Sequence, residues 1–435
     1  MSAPLTGLVG VLALFVLLLL RLPVWAALAL VGFLGNVSIS SWSSAVATLG
    51  QSPFDTASLY TLSVVPLFIL TGGVASASGL SADLFKAARV VTSGVRGGLA
   101  VATIGASACF GAVCGSSVAT AATMTPIALR EMRSAGYSDA LATGAIAAGG
   151  TLGILFPPSI ILVIYGAIAQ QSVPKLFAAG LIPGVLLTCL YIAVALVVAY
   201  RRPDAAPKGA GASLRERASA LRGPWQFLTL FVVSIGGIYA GVFSPTEAAS
   251  VAALGAILLG LAGRQLRIRE IGGAIEAAVV TTCMLFLIII GANIFAYFIV
   301  QTQLPALLVE QARTSALPGP AVMLLVIAAY IVMGCFLEAI GMILITIPVF
   351  LPLITSYGYD PAWFAIVVVI VVELGLIHPP VGMNLFVVQA QAPDVKTVTM
   401  YRGIVPFLIA PFALVALLWF FPALALWLPR VLYGS

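Results

Sequence analysis

Charge is what this sequence has least of. Of 435 residues, 20 are Lys or Arg and 14 are Asp or Glu, so 8% are charged, against about 25% in ordinary globular chains. That excludes a soluble α/β enzyme and a nucleic-acid binder, which both need a charged, solvated surface. There is one histidine, His378, and no H-E-x-x-H, so an intramembrane metalloenzyme has no metal-ligating set to work with. Five cysteines (Cys109, Cys114, Cys189, Cys283, Cys335) lie in apolar stretches and form no C-x-x-C. Neither a disulfide framework nor a zinc site is indicated. No Walker A sequence is present, so an ATPase would have to be a separate chain. No basic segment precedes the first apolar run, so no cleaved signal peptide is expected.

What is present is apolar: 62% of residues are hydrophobic and the mean hydropathy is +1.16. A span takes about 20 apolar residues, which allows roughly ten. Runs with little or no charge occupy 5–20, 24–40, 58–78, 140–170, 176–200, 225–243, 246–262, 271–300, 362–391 and 403–429. They are continuously apolar, not alternating, so helices are expected and barrel strands are not. Trp419 and Trp427 read as interface anchors, and Glu247 and Glu276 sit near span ends.

Two more apolar runs fit no single crossing. Residues 97–129 lie between Arg96 and Arg130. They are too short for two spans and too long for one, at about 50 Å of helix. Residues 320–354 repeat the problem, with Glu338 near the middle. Both read as re-entrant helical hairpins, tolerated at membrane depth where the bend packs in protein or lines a cavity. With this segmentation one side holds every Lys and Arg except Lys175, Arg313 and Arg430, and is therefore cytoplasmic. The first hairpin opens to that side and the second to the other.

The order of elements repeats. At a constant interval of 222 residues Pro23 matches Pro245, Gly97 matches Gly319 and Pro126 matches Pro348. Gly136-Tyr137 matches Gly358-Tyr359, and Pro157-Pro158 matches Pro379-Pro380. The expected architecture is all-α and polytopic. It has a first repeat over 1–200, a cytoplasmic linker over 201–223 and a second repeat over 224–435. Each repeat has five crossings, one hairpin and one broken helix (about 140–170 and 362–391). Five crossings is odd, so the second repeat is inverted, the plan of secondary transporters.

The breaks carry the chemistry. Prolines remove an N–H and unwind a turn. Freed carbonyls and hydroxyls suit a hard cation, and half-helix N-termini suit a carboxylate. No Lys or Arg lies inside either hairpin or break, so an anion there needs dipoles, hydroxyls and co-bound cations. The first set is Gly115 to Thr120 with Gly149 to Ser159. The second is Glu338 to Gly341 with Glu373 to Asn384. Ser116, Ser117 and Thr120 fit an ion site or plain helix satisfaction. Glu338 and Glu373, near mid-membrane, fit a buried hydrogen bond or a functional charge. His378 fits a core or a substrate role, and Asn384 fits a half-helix cap or a substrate contact.

These residues resemble the large membrane subunit of tripartite ATP-independent periplasmic (TRAP) transporters, the DctM-like family. The most specific stretches are PLFILTGG (66–73), FGAVCGSSVATAATMTPIAL (110–129), GGTLGILFPPSIILVIYG (149–166), SPTEAA (244–249), GMILITIPVFLPL (341–353) and ELGLIHPPVGMNLFV (373–387). The resemblance implies an elevator-type permease in a bacterial inner membrane, importing organic acids on a Na⁺ gradient without ATP. It implies a small four-helix membrane subunit and a periplasmic solute-binding protein as partners. No four-helix extension precedes the first run, so the small subunit is expected as a separate chain. By position, a first Na⁺ site falls at Ser116, Ser117, Thr120, Gly149, Thr151, Gly153 and Pro157. A second falls at Glu338, Gly341, Gly375, Pro379 and Gly382. Substrate would meet Ser117, Ser159, Glu338, His378 and Asn384; His378 stands where the family often has threonine. No transition metal, organic cofactor or catalytic residue is implied. The alternative is a stand-alone ion-coupled carboxylate symporter or antiporter of the same superfamily.

Overall fold

The computed structural model describes residues 2–315, 317–334, 337–379 and 382–434. Cys335, Pro380 and Val381, which figure in the expectations above, lie outside the described residues. The described residues form helices and no β-strand; one isolated bridge pairs Arg96 with Lys208. The first half runs α1 (Ala3–Leu19), α2 (Val24–Ile39), α3 (Trp42–Ser58), α4 (Val64–Ala77) and α5 (Leu80–Val91). It continues with α6 (Gly98–Cys114), α7 (Ser117–Ser134), α8 (Asp139–Thr151), α9 (Ile160–Ile168) and α10 (Val173–Arg201). The linker carries α11 (Leu214–Ala220). The second half runs α12 (Trp225–Phe231), α13 (Gly237–Tyr239), α14 (Pro245–Ala262), α15 (Ile268–Gln301) and α16 (Leu304–Thr314). Then come α17 (Gly319–Gly334), α18 (Ala339–Thr355), α19 (Pro361–Ile377), α20 (Met383–Gln391), α21 (Thr397–Ile404), α22 (Ile409–Phe420) and α23 (Ala423–Tyr433).

Among the described residues, five helical segments are long and apolar enough to cross a membrane: Tyr60–Ala77, Val173–Arg201, Pro245–Ala262, Ile268–Gln301 and Thr397–Phe420. Large apolar side chains such as Leu12, Leu34, Leu254, Val279 and Leu324 stand exposed on the outside of the bundle. In water this would be a liability; in lipid it is the natural surface.

Helix bounds recur close to the 222-residue interval: α2 with α14, α6 with α17, α7 with α18, α8 with α19 and α9 with α20. One departure has a reason in the sequence. Residues 42–77 form α3 and α4 with a 3-10 turn between them, whereas α15 is continuous over 34 residues. The first stretch contains Pro53 and Pro66, where the second has Ile275 and Ile288. Pro66 falls in the first turn of α4, where its missing N–H costs nothing.

Two expectations need adjusting. Residues 41–57, left outside any crossing, form helix α3. The run 403–429, read as one crossing, is interrupted: α22 ends at Phe420 and α23 restarts at Ala423. Phe421 has left the helical region (φ −129°, ψ 71°) because Pro422 follows it.

The bundle is held by close backbone approach. A Cβ on Gly32 would lie 2.6 Å from the Phe295 nitrogen, so α2 packs directly on the α15 backbone. The linker is not a loose tether. Ser138 N donates to the Ala205 carbonyl at 3.0 Å, Ala212 N to Ser93 Oγ at 2.9 Å and the Arg217 guanidinium to the Ser93 carbonyl at 2.8 Å. It straps the foot of the first hairpin.

Candidate functional site

The first hairpin turns at Gly115, whose φ of +63° is a left-handed conformation that glycine supplies without strain. A Cβ there would also lie 2.5 Å from the Pro158 carbonyl oxygen. The hairpin tip therefore rests on the first helix break. Ser116 caps α7, its Oγ accepting from Ala119 N at 3.3 Å. Thr120 Oγ1 donates to the Ser116 carbonyl at 2.8 Å and lies 3.1 Å from Cys114 Sγ. A Cβ on Gly153 would meet Thr120 Oγ1 at 2.8 Å and the Ser116 carbonyl oxygen at 2.9 Å. Ser116, Thr120 and Gly153 thus share one small oxygen-rich space.

The other expected members of that set sit elsewhere. Gly149 faces Ser107 of α6, whose Oγ would be 2.9 Å from a Cβ on it. Thr151 Oγ1 donates to the Ala148 carbonyl at 2.7 Å and lies 3.1 Å from the Tyr191 hydroxyl of α10. Pro157 is buried in the break behind the tip. Ser159, placed against substrate by the resemblance, is fully buried. It caps α9 by accepting from Leu162 N at 3.2 Å and donates to the Ile154 carbonyl. Residues of one expected shell can point to different neighbours because a break is tightly packed on all sides, and sequence order does not say which side each faces.

The second hairpin tip is built on the same plan with different chemistry. Glu338 is the residue before α18, in an extended conformation, as Ser116 is before α7. Its Oε1 is buried with no hydrogen-bond partner among the described residues. Gly341 faces α2, where a Cβ would lie 3.0 Å from Val24 Cγ1. Gly375 packs on Gly334, with a Cβ 2.7 Å from the Gly334 Cα. Gly111 and Gly153 make the matching contact in the first half, at 2.5 Å. In both halves the first hairpin arm lies flush against the broken helix. Gly382 has φ +66° and precedes α20. Pro379 is partly buried in this break, and His378 ends α19 with its N–H on the Gly375 carbonyl at 3.4 Å.

Asn384 joins the two halves. Its Nδ2 donates to Ser117 Oγ at 2.6 Å and to the Ala147 carbonyl at 3.5 Å. Gln391 Nε2 reaches the Ala122 carbonyl at 2.9 Å further down α7. At the foot of the first hairpin, Arg133 bonds Asp139 at 2.7 Å and Asp394 at 2.6 Å. Those hydrogen bonds hold the Asp394 carboxyl below its ordinary value and the Arg133 guanidinium above its own.

The two tips meet at one cavity of about 600 Å³. Ser116, Ser117 and Glu338 line it, together with Thr281 of α15. Glu338 is the one charged side chain among the described lining residues. First-turn residues of four half-helices reach this space: Ser117 of α7, Ile160 of α9, Ala339 of α18 and Met383 of α20. Helix N-termini present unsatisfied N–H groups and the positive dipole end. Thr281, Ser76 and Thr123 were not anticipated, since lone hydroxyls in apolar helices carry no sequence signal.

Apolar helices around two hairpin tips, two helix breaks and a shared cavity define a membrane transporter. Residues 11–424 match the family model described as "Tripartite ATP-independent periplasmic transporter, DctM component". The chain is 37% identical to the C4-dicarboxylate TRAP transporter large permease protein DctM of Pseudomonas aeruginosa, over 92% of this chain and 93% of that one. It is 33% identical to the sialic acid TRAP transporter large permease protein SiaM of Vibrio cholerae, over 86% of this chain and 87% of that one. The fold also matches the crystal structure of the YdaH transporter of Alcanivorax borkumensis, with a TM-score of 0.64, 19% identity and 90% coverage of both chains. The chain belongs to the DctM-component family of TRAP transporters and is a large permease protein, not an enzyme.

Proposed function

We propose that this permease imports an organic acid on a Na⁺ gradient, without ATP, receiving it from a periplasmic binding protein in a complex with a small four-helix membrane subunit. The observation that carries the reading is the convergence of four half-helix N-termini on one cavity whose described lining has no Lys, Arg or His. A carboxylate is drawn by the dipole ends. The Glu338 charge in the same cavity opposes an anion, so a cation must accompany substrate. The two relatives named above act on C4-dicarboxylates and sialic acid, both carboxylates.

The cation positions we assign are Ser116, Thr120 and the Gly153 break for one ion, and Glu338 with the Gly375–Gly382 break for another. The halves are inverted repeats in a bacterial inner membrane, and the hairpins and breaks move together as the elevator. The cross-links Asn384–Ser117, Gln391–Ala122 and Arg133–Asp394 support a single moving body. Single cysteines at Arg130 and Tyr357 should label from opposite faces; labelling from the same face removes the inversion.

The functional test is reconstitution of the permease with its membrane partner and binding protein in liposomes. Uptake from a panel of radiolabelled carboxylates should follow an inward Na⁺ gradient with no ATP present. Uptake that needs ATP and ignores Na⁺ would refute the proposal.

A further inference from the structure

Part of the cavity wall belongs to neither a hairpin tip nor a helix break. Helix α4 supplies Gly72, Gly73 and Ser76 to it. α4 lies chiefly against α14 and α15, whereas α7 lies chiefly against α6, α8 and α20. Two contacts join α4 to the first hairpin. A Cβ on Gly72 would lie 2.6 Å from Cys114 Cβ and 2.8 Å from Cys114 Cα, so the end of α6 is seated on bare α4 backbone. One turn along the same face of α4, Ser76 Oγ lies 3.2 Å from Thr123 Oγ1 of α7. Cys114 and Thr123 line the same cavity.

Hydroxyls in helices commonly turn back on their own backbone, and those nearby do. Thr71 donates to the Leu67 carbonyl at 2.8 Å, Thr120 to the Ser116 carbonyl at 2.8 Å and Thr125 to the Ala121 carbonyl at 2.6 Å. Ser76 and Thr123 instead bond each other across two helices. Both are half-buried, at the edge of the cavity. A hydrogen bond broken in a dry core orphans its groups and costs their desolvation. A hydrogen bond broken at a cavity wall is replaced by water at little cost. The tie from Asn384 to Ser117 is of the first kind, since Asn384 is fully buried. The Ser76–Thr123 tie is of the second kind.

We propose that Ser76 and Thr123 form a latch between the stationary helices and the moving body. It holds the first hairpin on its α4 seat and opens each time the body travels. The latch rests on the elevator reading above: α7 moves with the hairpins and breaks, and α4 stays with α14 and α15. Sliding α7 along α4 by one helical turn, about 5 Å, parts the two hydroxyls and lifts Cys114 from Gly72. Only one hydroxyl pair is given up, at a wall where water takes its place, so the seated state is favoured without being locked. Ser76 is thereby a positioning residue of the transport cycle.

The test uses the whole chain in lipid nanodiscs. Nitroxides are attached through an unnatural keto amino acid at Leu258 of α14 and Arg130 of α7, both exposed, which leaves the native cysteines unlabelled. Pulsed electron paramagnetic resonance should give two distances, one for the seated state and one for the displaced state. Ser76→Ala should shift their ratio about three- to tenfold away from the seated state, the worth of one hydrogen bond between membrane helices. Ser76→Thr, which keeps the hydroxyl, should leave the ratio as it is. In Ser76→Cys/Thr123→Cys, oxidation with copper phenanthroline should close a disulfide and collapse the two distances to the seated one, and reductant should restore both. An equal ratio in the unsubstituted protein and Ser76→Ala overturns the latch while leaving the elevator standing. A ratio that moves equally in Ser76→Ala and Ser76→Thr assigns the effect to packing and overturns it as well. So do two distances that persist with the disulfide closed. One distance only, in the unsubstituted protein and every variant, overturns the elevator reading and the latch with it.

Discussion

The two halves of this permease share a backbone plan but fill it with opposite chemistry. Where the first half places Ser116 before its hairpin's second helix, the second half places Glu338. Where the first ends α8 with Thr151, the same interval leads to Glu373 in α19. Hydroxyls stand against carboxyls at both positions. The first half's hydroxyls are satisfied within the protein: Ser116 by Ala119, Thr120 by Ser116, Thr151 by Ala148 and Ser159 by Ile154. Glu338 and Glu373 keep three buried oxygens without hydrogen-bond partners among the described residues. A repeated fold fixes where a site can be, and the side chains decide how much charge must be brought to it. The second half is the one whose buried acids lack hydrogen-bond partners among the described residues.

The largest effect should come from the feature the halves share. Gly153→Val and Gly375→Val each force a side chain into a backbone contact of under 3 Å. Overpacking of this kind costs about 1–3 kcal/mol or more. Both variants should unfold at lower temperature in detergent, by similar amounts. A large loss in one half alone would show that the two contacts are not equivalent.

Next comes the feature that differs. Glu338→Ala should weaken Na⁺ binding more than Ser116→Ala, because it removes a formal charge rather than a dipole. Ser116→Ala should chiefly lower thermal stability, by about 1 kcal/mol, for the lost cap on α7. Equal effects on Na⁺ titrations would erase the proposed asymmetry. A smaller effect, about 1–2 kcal/mol, is expected for Asn384→Ala, which removes the bond to Ser117 across the halves. It should alter the apparent Na⁺ affinity of the first-half site although the residue belongs to the second. An unchanged Na⁺ titration would mean the tips act separately.

The smallest effect belongs to the exposed Arg133–Asp394 clasp at the foot of the first hairpin. The Arg133 hydrogen bond keeps the Asp394 carboxyl below its ordinary value. A lowered carboxyl stabilises the fold above its unfolded value of about 3.9 and loses that stabilisation as pH falls through the folded value. Asp394→Asn should therefore shift the unfolding temperature slightly at neutral pH and not at a pH below the folded value. A shift of equal size at both values would assign the effect to packing.

Much of this architecture was readable from the sequence, and the exceptions have physical causes. Glycine and proline mark backbone, so the bend at Gly115 and the end of α9's predecessor near Pro157 fall where those residues stand. Helix α3 was missed because its polar residues and Pro53 hide an apolar face that meets α2 and α15. Within the site, residue types were readable but directions were not. Gly341 turns to Val24, Ser159 turns inward as a cap and Thr151 turns to Tyr191. Each direction is set by a contact with a helix distant in sequence, which no local pattern encodes. Glu373 could be noticed as an acid in an apolar run, but that its carboxyl oxygens have no hydrogen-bond partner among the described residues is visible only in three dimensions.

The most direct test of the central claim needs neither substrate nor partner. The unfolding temperature of the purified permease is followed as Na⁺ replaces K⁺ at constant ionic strength. A ligand that binds only the folded state raises that temperature with concentration. The account predicts a rise specific to Na⁺, reduced in Ser116→Ala/Ser117→Ala and reduced further when Glu338→Ala is added. Equal unfolding temperatures in Na⁺ and K⁺ across the titration would contradict it.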